Sequence, residues 1–206
     1  MLITFSGLDG SGKSTQAHLV CAFLKDRGYR VNLIHITGWT LVNRIGEIFT
    51  RHNHWEKTVT RKNASFRWLR MIVMLFDVFR FWLLWLSQKS FGKILVCDRY
   101  FYDLGVQAVY TETLSARLVS FYLRLVPRPT LAFWLQVRPL DAEHREGDHS
   151  KEYYCTKDHL YQNILKHISE ISVFAPSTVE DIKSKIFHSV TRELHDIHPE
   201  PGRTVC

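Results

Sequence analysis

Cysteine is scarce in this 206-residue chain: Cys21, Cys97, Cys155 and Cys206, with no CxxC pair and no His/Cys cluster. That scarcity argues against a disulfide framework or a structural zinc site and points to a reducing cytoplasm. No block of Lys or Arg occurs, although 27 basic residues outnumber 20 acidic ones for a net charge of +7. Without a nucleic-acid motif, the surplus fits small phosphate-rich ligands rather than nucleic acid, the alternative being a solvated basic surface with no partner. The opening MLITFSG lacks a basic n-region, and Cys206 is the last residue rather than the fourth from the end, so neither a signal peptide nor prenylation is expected.

A long uninterrupted apolar run is also missing. Residues 71–86 hold ten Leu, Ile, Val and Phe, but Asp77 and Arg80 sit among them. Those two charges cost about +5 to +7 kcal/mol at a bilayer centre against roughly −3 to −6 kcal/mol from the apolar residues. No transmembrane segment is therefore expected, although association with a membrane surface through the tryptophan-rich helix stays open.

What is present is alternation. Leu2–Ser6, Val31–Ile36, Ile94–Cys97, Leu131–Val137 and Ile171–Phe174 read as five buried strands, separated by helical patterns near 13–27, 39–51, 60–90, 112–124, 153–169 and 178–195. This order predicts an α/β fold, a three-layer α/β/α arrangement around a five-stranded parallel sheet, with ligands beyond the carboxyl ends of the strands. Residues 1–196 are expected to form one domain with a short lid at about 138–152, and 197–206 a flexible tail.

Directly after the first strand, Gly7-Leu8-Asp9-Gly10-Ser11-Gly12-Lys13-Ser14 satisfies G-x-x-x-x-G-K-[ST] and opens a helix. Gly7, Gly10, Ser11 and Gly12 let backbone N–H groups converge on phosphate oxygens, and the helix N-terminus that follows, through Thr15, adds its dipole. Lys13 would reach the terminal phosphates of ATP and Ser14 would ligate Mg²⁺. No N-K-x-D base-reading motif of a guanine switch protein is present, which leaves the small α/β kinases of the P-loop NTPase class. At the end of the third strand, in VCDRYFYD, Asp98 is placed to hold the Mg²⁺ shell and Arg99 to clamp a phosphate. The alternative is a structural Asp–Arg pair.

With those motifs in view, the chain resembles the thymidylate kinases along nearly its whole length. FSGLDGSGKSTQ looks like that family's phosphate loop, with Asp9 at the acid the family sets near the acceptor sugar and phosphate. LVCDRY resembles its strand-ending motif, which implies acceptor-binding roles for Arg99 and for the adjoining Tyr100 and Asp103. LFDVFR is similar to its helix segment, which implies that Phe76 stacks on the base and Arg80 hydrogen-bonds it. VRPLDAEHR resembles the exit into the lid, placing Arg145 at a lid arginine, and APSTVEDI the turn lining the adenine. The resemblance implies catalysis by Lys13, Arg99 and Arg145 on ATP, Mg²⁺ and a nucleotide acceptor, most simply dTMP.

Three departures accompany it. HITGWT (residues 35–40) stands where the family carries an Arg-Glu-Pro segment that grips the acceptor phosphate, with Arg44 one turn beyond. The lid is short, offering Arg145 and Lys151, and Asp103 replaces a small hydroxyl residue. Another acceptor, or a regulatory nucleotide-binding role, therefore stays open. Lys62, Asn63, Arg70, Asp77, Arg80 and Gln88 share one stripe of the 60–90 helix. This predicts a helix buried on most sides with its polar stripe toward the acceptor pocket. The alternative is that Asp77 merely pairs with Arg70 and Arg80. The helix also has apolar area enough for a homodimer interface.

Overall fold

A computed structural model describes residues 1–42, 44, 64–146, 149–166, 168 and 170–197. Five strands, β1 (Leu2–Ser6), β2 (Val31–His35), β3 (Ile94–Asp98), β4 (Leu131–Leu135) and β5 (Ile171–Phe174), form one sheet in the order β2-β3-β1-β4-β5. Every pairing is parallel. The central strands β1 and β3 are buried at every residue, as continuous apolar runs require when both faces of a sheet are covered.

Alternate residues of these strands feed two separate cores. Ile3, Phe5, Val96, Phe133 and Leu135 face α1 (Lys13–Asp26) and a long C-terminal helix. Leu2, Leu95, Cys97, Ala132 and Trp134 face the other way, against the remaining major helices. The α/β/α expectation is met. In chain order the other helices are α2 (Ile36–Trp39), α3 (Ala64–Ser90), α4 (Phe101–Tyr110), α5 (Ala116–Leu125), α6 (Pro139–Glu146), α7 (Lys151–Leu165) and α8 (Val179–Ile197). Most of the helix expected at 39–51, together with Lys62, Asn63 and the tail from 198, lies outside the described residues.

Three helices were not foreseen, the four-residue α2 and the longer α4 and α6. Gly105 breaks the helical signature of α4, yet it is there for packing. A Cβ at that position would lie 2.8 Å from Val119 Cγ1, so glycine lets α4 and α5 approach closely.

The larger correction concerns α3. Met74, Asp77, Val78 and Phe81 are buried, whereas Trp68, Ile72, Phe76, Phe79 and Leu83 are more than half exposed. The helix therefore turns much of its apolar surface outward and its aspartate inward. Asp77 is fully buried and accepts the Leu41 and Val42 backbone N–H groups, both at 3.0 Å, and Arg80 at 2.7 Å. Arg80 also lies over the Trp39 ring, 4.4 Å from its centroid. The charges inside the apolar helix tie it to the segment after β2, and of the alternative pairing of Asp77 with Arg70 and Arg80 the Arg80 half is found. No helix among the described residues is long and apolar enough to cross a membrane.

Removing the Asp77 carboxylate orphans two backbone donors and a guanidinium. Each orphaned buried donor costs about 1–3 kcal/mol, so Asp77→Ala is expected to lower unfolding free energy by about 3 kcal/mol in urea titrations. Arg80→Ala, at a partly exposed site, is expected to cost roughly a third of that.

Candidate active site

The carboxyl ends of β1 and β3 deliver the loop 7–12 and residues Asp98 and Arg99 to one edge of the sheet. The loop is pressed tightly onto the neighbouring strand: a Cβ on Gly7, whose φ is 144°, would sit 2.3 Å from the Leu135 carbonyl oxygen. Gly12, with φ 87°, turns the chain into α1 and presents its first N–H groups outward. Ser11 is buried in the loop, and Ser14 and Thr15 are exposed on the first turn.

Lys13 is buried, with its ammonium on the Leu8 carbonyl oxygen and 3.4 Å from the Ser11 hydroxyl. Burial, and then the nearby Arg99, lower its pKa from 10.5 to about 8, against the pull of Asp103, Asp9 and Asp98. A desolvated cation of this kind gains much from an incoming anion.

Asp98 accepts the Ser14 hydroxyl at 2.7 Å and approaches His35 Nδ1 at 2.9 Å, both through Oδ2. Its buried Oδ1 has no partner. A free carboxylate oxygen beside a serine hydroxyl suits Mg²⁺, which takes few protein ligands and completes its shell with water and phosphates. Among the described residues no group of three or more His, Cys, Asp or Glu could hold a metal unaided.

Arg99 adopts φ 66°, a left-handed conformation uncommon outside glycine, which aims its side chain at Asp9. The guanidinium pairs with Asp9 Oδ1. Burial opposes charge on both, but Asp103 and Asp9 raise the Arg99 pKa. Arg99, then Lys13 and Lys157, hold the Asp9 carboxyl below its ordinary value. Asp9, Arg99 and Asp103 line a cavity of about 320 Å³ with His35, Thr37, Leu104, Gln107, Lys157 and Tyr161.

Several expected acceptor residues fall elsewhere. Tyr100 is fully buried in an aromatic cluster with Phe81, Phe101 and Tyr102, and its hydroxyl donates to the Pro127 carbonyl oxygen, so it cannot reach the cavity. Phe76, half exposed on the outer side of α3, and Arg80, held by Asp77, are not among the cavity's lining residues. Arg44, the other cation considered, donates to the Gly38 carbonyl oxygen at 3.1 Å and does not line it either. Asp103 borders the cavity, but its oxygens are taken by Ser6 Oγ at 2.7 Å, the Gly7 N–H at 3.2 Å, the Tyr100 N–H at 2.8 Å and the Tyr161 hydroxyl at 2.6 Å. Through those four bonds it holds the site together. Arg145, on α6, donates to the Gly10 carbonyl oxygen at 3.0 Å and so stands over the phosphate loop.

The sequence reading missed Lys157, Tyr161, Gln107 and His35. Lys157 had one visible signal, its place on the Tyr154–Lys157–Tyr161–Ile164 stripe that α7 buries.

The thymidylate kinase family model matches residues 5–188. This chain belongs to the thymidylate kinase family. It is 27% identical to a probable thymidylate kinase of Pyrococcus horikoshii over 93% of this chain and 96% of that protein. It is 28% identical to the thymidylate kinase of Plasmodium falciparum over 92% and 89%. The crystal structure of thymidylate kinase from Ehrlichia chaffeensis superposes with a TM-score of 0.63, at 22% identity, over 93% of this chain and 98% of that one, which shows the shared fold.

Within this family member, the Asp103 carboxylate should be worth more to folding than to ligand binding. Asp103→Ala leaves four buried donors unpaired at about 1–3 kcal/mol each. The expected loss is on the order of 4 kcal/mol or more, read as a fall in the urea midpoint.

Proposed function

We propose that this thymidylate kinase family member transfers the γ-phosphoryl group of ATP to the phosphate of dTMP. An oxygen of the acceptor phosphate attacks the γ-phosphorus. The bond from that phosphorus to the β–γ bridging oxygen breaks, leaving ADP and dTDP. The observation that carries this reading is the match to the family over residues 5–188, together with a phosphate loop that opens beside the Asp9–Arg99 cavity.

The roles follow from charge and position. The N–H groups of residues 7–15 cradle the donor phosphates, and Lys13 neutralises charge on the transferring group. Ser14 and Asp98 would hold Mg²⁺, which when bound would supply positive charge to offset that of the donor phosphates. Arg99, backed by Asp9, orients the acceptor phosphate, and residues 138–152, carrying Arg145, act as the lid. Three free cysteines among the described residues suit a cytoplasmic setting. We read the exposed apolar face of α3, continued onto α5 where Trp82 donates to the Leu125 carbonyl oxygen at 2.8 Å, as a homodimer surface. Light scattering should then give twice 24.2 kDa, and Leu83→Glu should halve it.

Coupled detection of ADP with ATP and a panel of dTMP, dUMP, dCMP and dGMP tests the activity. Turnover of dTMP is expected, and its absence beside turnover of another acceptor would reassign the substrate. Lys13→Ala should lower kcat on the order of 10²-fold or more with an unchanged circular dichroism spectrum.

The lowered Lys13 pKa also fixes a sign. In the free protein the ammonium is present below about pH 8 and is lost as pH rises through that value. ATP affinity should therefore weaken above pH 8, whereas Lys13→Met should show weaker binding that stays flat there.

A further inference from the structure

Helix α7 buries Tyr154, Lys157, Tyr161, Ile164 and Leu165, a stripe that recurs at three- and four-residue steps. In such a stripe a lysine is out of place: Lys157 is only 8% exposed, among aromatic rings. Its ammonium donates to the Tyr153 hydroxyl at 2.6 Å and lies 4.6 and 5.8 Å from the Tyr153 and Tyr110 ring centroids. Among the described residues no carboxylate stands within ion-pair distance of it.

The other cation of the cavity, Arg99, is already matched by Asp9, and Asp103 has its oxygens occupied by four donors. Lys157 is therefore the cavity's unmatched charge. Burial depresses its pKa to about 8, with Asp9 and Asp103 acting against that shift and Arg99 reinforcing it. A buried ammonium hydrogen-bonded to a phenol, beside two ring faces and with no carboxylate paired to it, is costly in the empty protein. An incoming dianion offsets that cost.

Among the described residues, the segment after β2 meanwhile brings no cation to this cavity. His35, the last residue of β2, and Thr37 line it, and His35 is engaged by Asp98 and by the Thr37 hydroxyl at 2.6 Å. Arg44 is turned to Gly38.

We propose that Lys157 is the second cation for the acceptor's phosphate, acting opposite Arg99, so that α7 takes part in gripping that phosphate. The proposal rests on the phosphoryl-transfer reading above and adds a residue to it. Tyr153 and Tyr110 hold the ammonium in place, and the flexible stem lets it swing from the phenol to a phosphate oxygen. The selectivity that follows is for phosphorylated acceptors over nucleosides.

The test is calorimetric titration of the full chain with dTMP and with thymidine, beside steady-state kinetics. The wild type should bind dTMP far more tightly than thymidine. Lys157→Met keeps the side chain's length and removes its charge. It should weaken dTMP binding about 10- to 150-fold, with thymidine binding and the KM for ATP within twofold. Lys157→Arg should restore most of the loss, and Lys157→Gln provides a second uncharged variant should the methionine misfold.

Equal weakening of dTMP and thymidine, or no change in either, overturns the proposal. A wild type that prefers dTMP to thymidine but fails to phosphorylate it would refute the activity and leave the Lys157 assignment standing. Normal dTMP turnover with an unaltered Lys157→Met would do the reverse. A wild type that binds both ligands alike removes the phosphate grip altogether.

Discussion

One carboxylate organises the whole catalytic edge. Asp103 collects donors from the end of β1, from the start of the phosphate loop, from the start of α4 and from α7. The phosphate loop, the start of α4 just after Arg99 and the helix carrying Lys157 thus share one buried anchor. Its fourfold satisfaction is what makes the burial tolerable, since a half-paired carboxylate would disfavour folding. It also spaces the charges: Asp103 contributes to the electrostatics of Lys13, Arg99 and Lys157 alike. A small hydroxyl in its place could not bond to all four groups.

A second constraint operates on α3. Its buried side is narrow and contains Asp77, which satisfies two backbone N–H groups of the segment after β2 as well as Arg80. The broad apolar side faces out, continuous with exposed Leu118 and Phe121 on α5. Ordinarily the greasy side of a helix is the inner one. Here the inner side is chosen by a hydrogen-bonding requirement, because unpaired backbone donors in the interior cost more than exposed hydrocarbon.

These two features mark where sequence reasoning worked and where it stopped. The five strands were legible because buried parallel strands are short apolar runs with sharp ends, and the phosphate loop because its glycines are dictated by backbone geometry. Asp98 and Ser14 followed from the same edge and do meet. Helical periodicity groups Asp77 with Arg80 but cannot say how much of the remaining surface is covered, so the apolar faces of α3 were expected to be buried where the structure exposes them. Tyr100 was carried into the acceptor site by its neighbours in sequence, although its ring completes an aromatic cluster beneath the site. The α4 helix was hidden by Gly105, whose reason lies across a helix contact. Lys157 needed depth, which a one-dimensional pattern does not carry.

Arg145 carries one more implication. Its guanidinium already has a partner, the Gly10 carbonyl oxygen, with Ala142 and Glu146 closing on the same glycine. Engaging a phosphate is then a swap of one hydrogen bond for another, and only the difference between them is available as binding energy. On the proposed reading, such an exchange-coupled latch would grip a bound nucleotide weakly and release it readily. Its contribution would then fall where charge develops during the reaction rather than in holding the reactant or delaying the product.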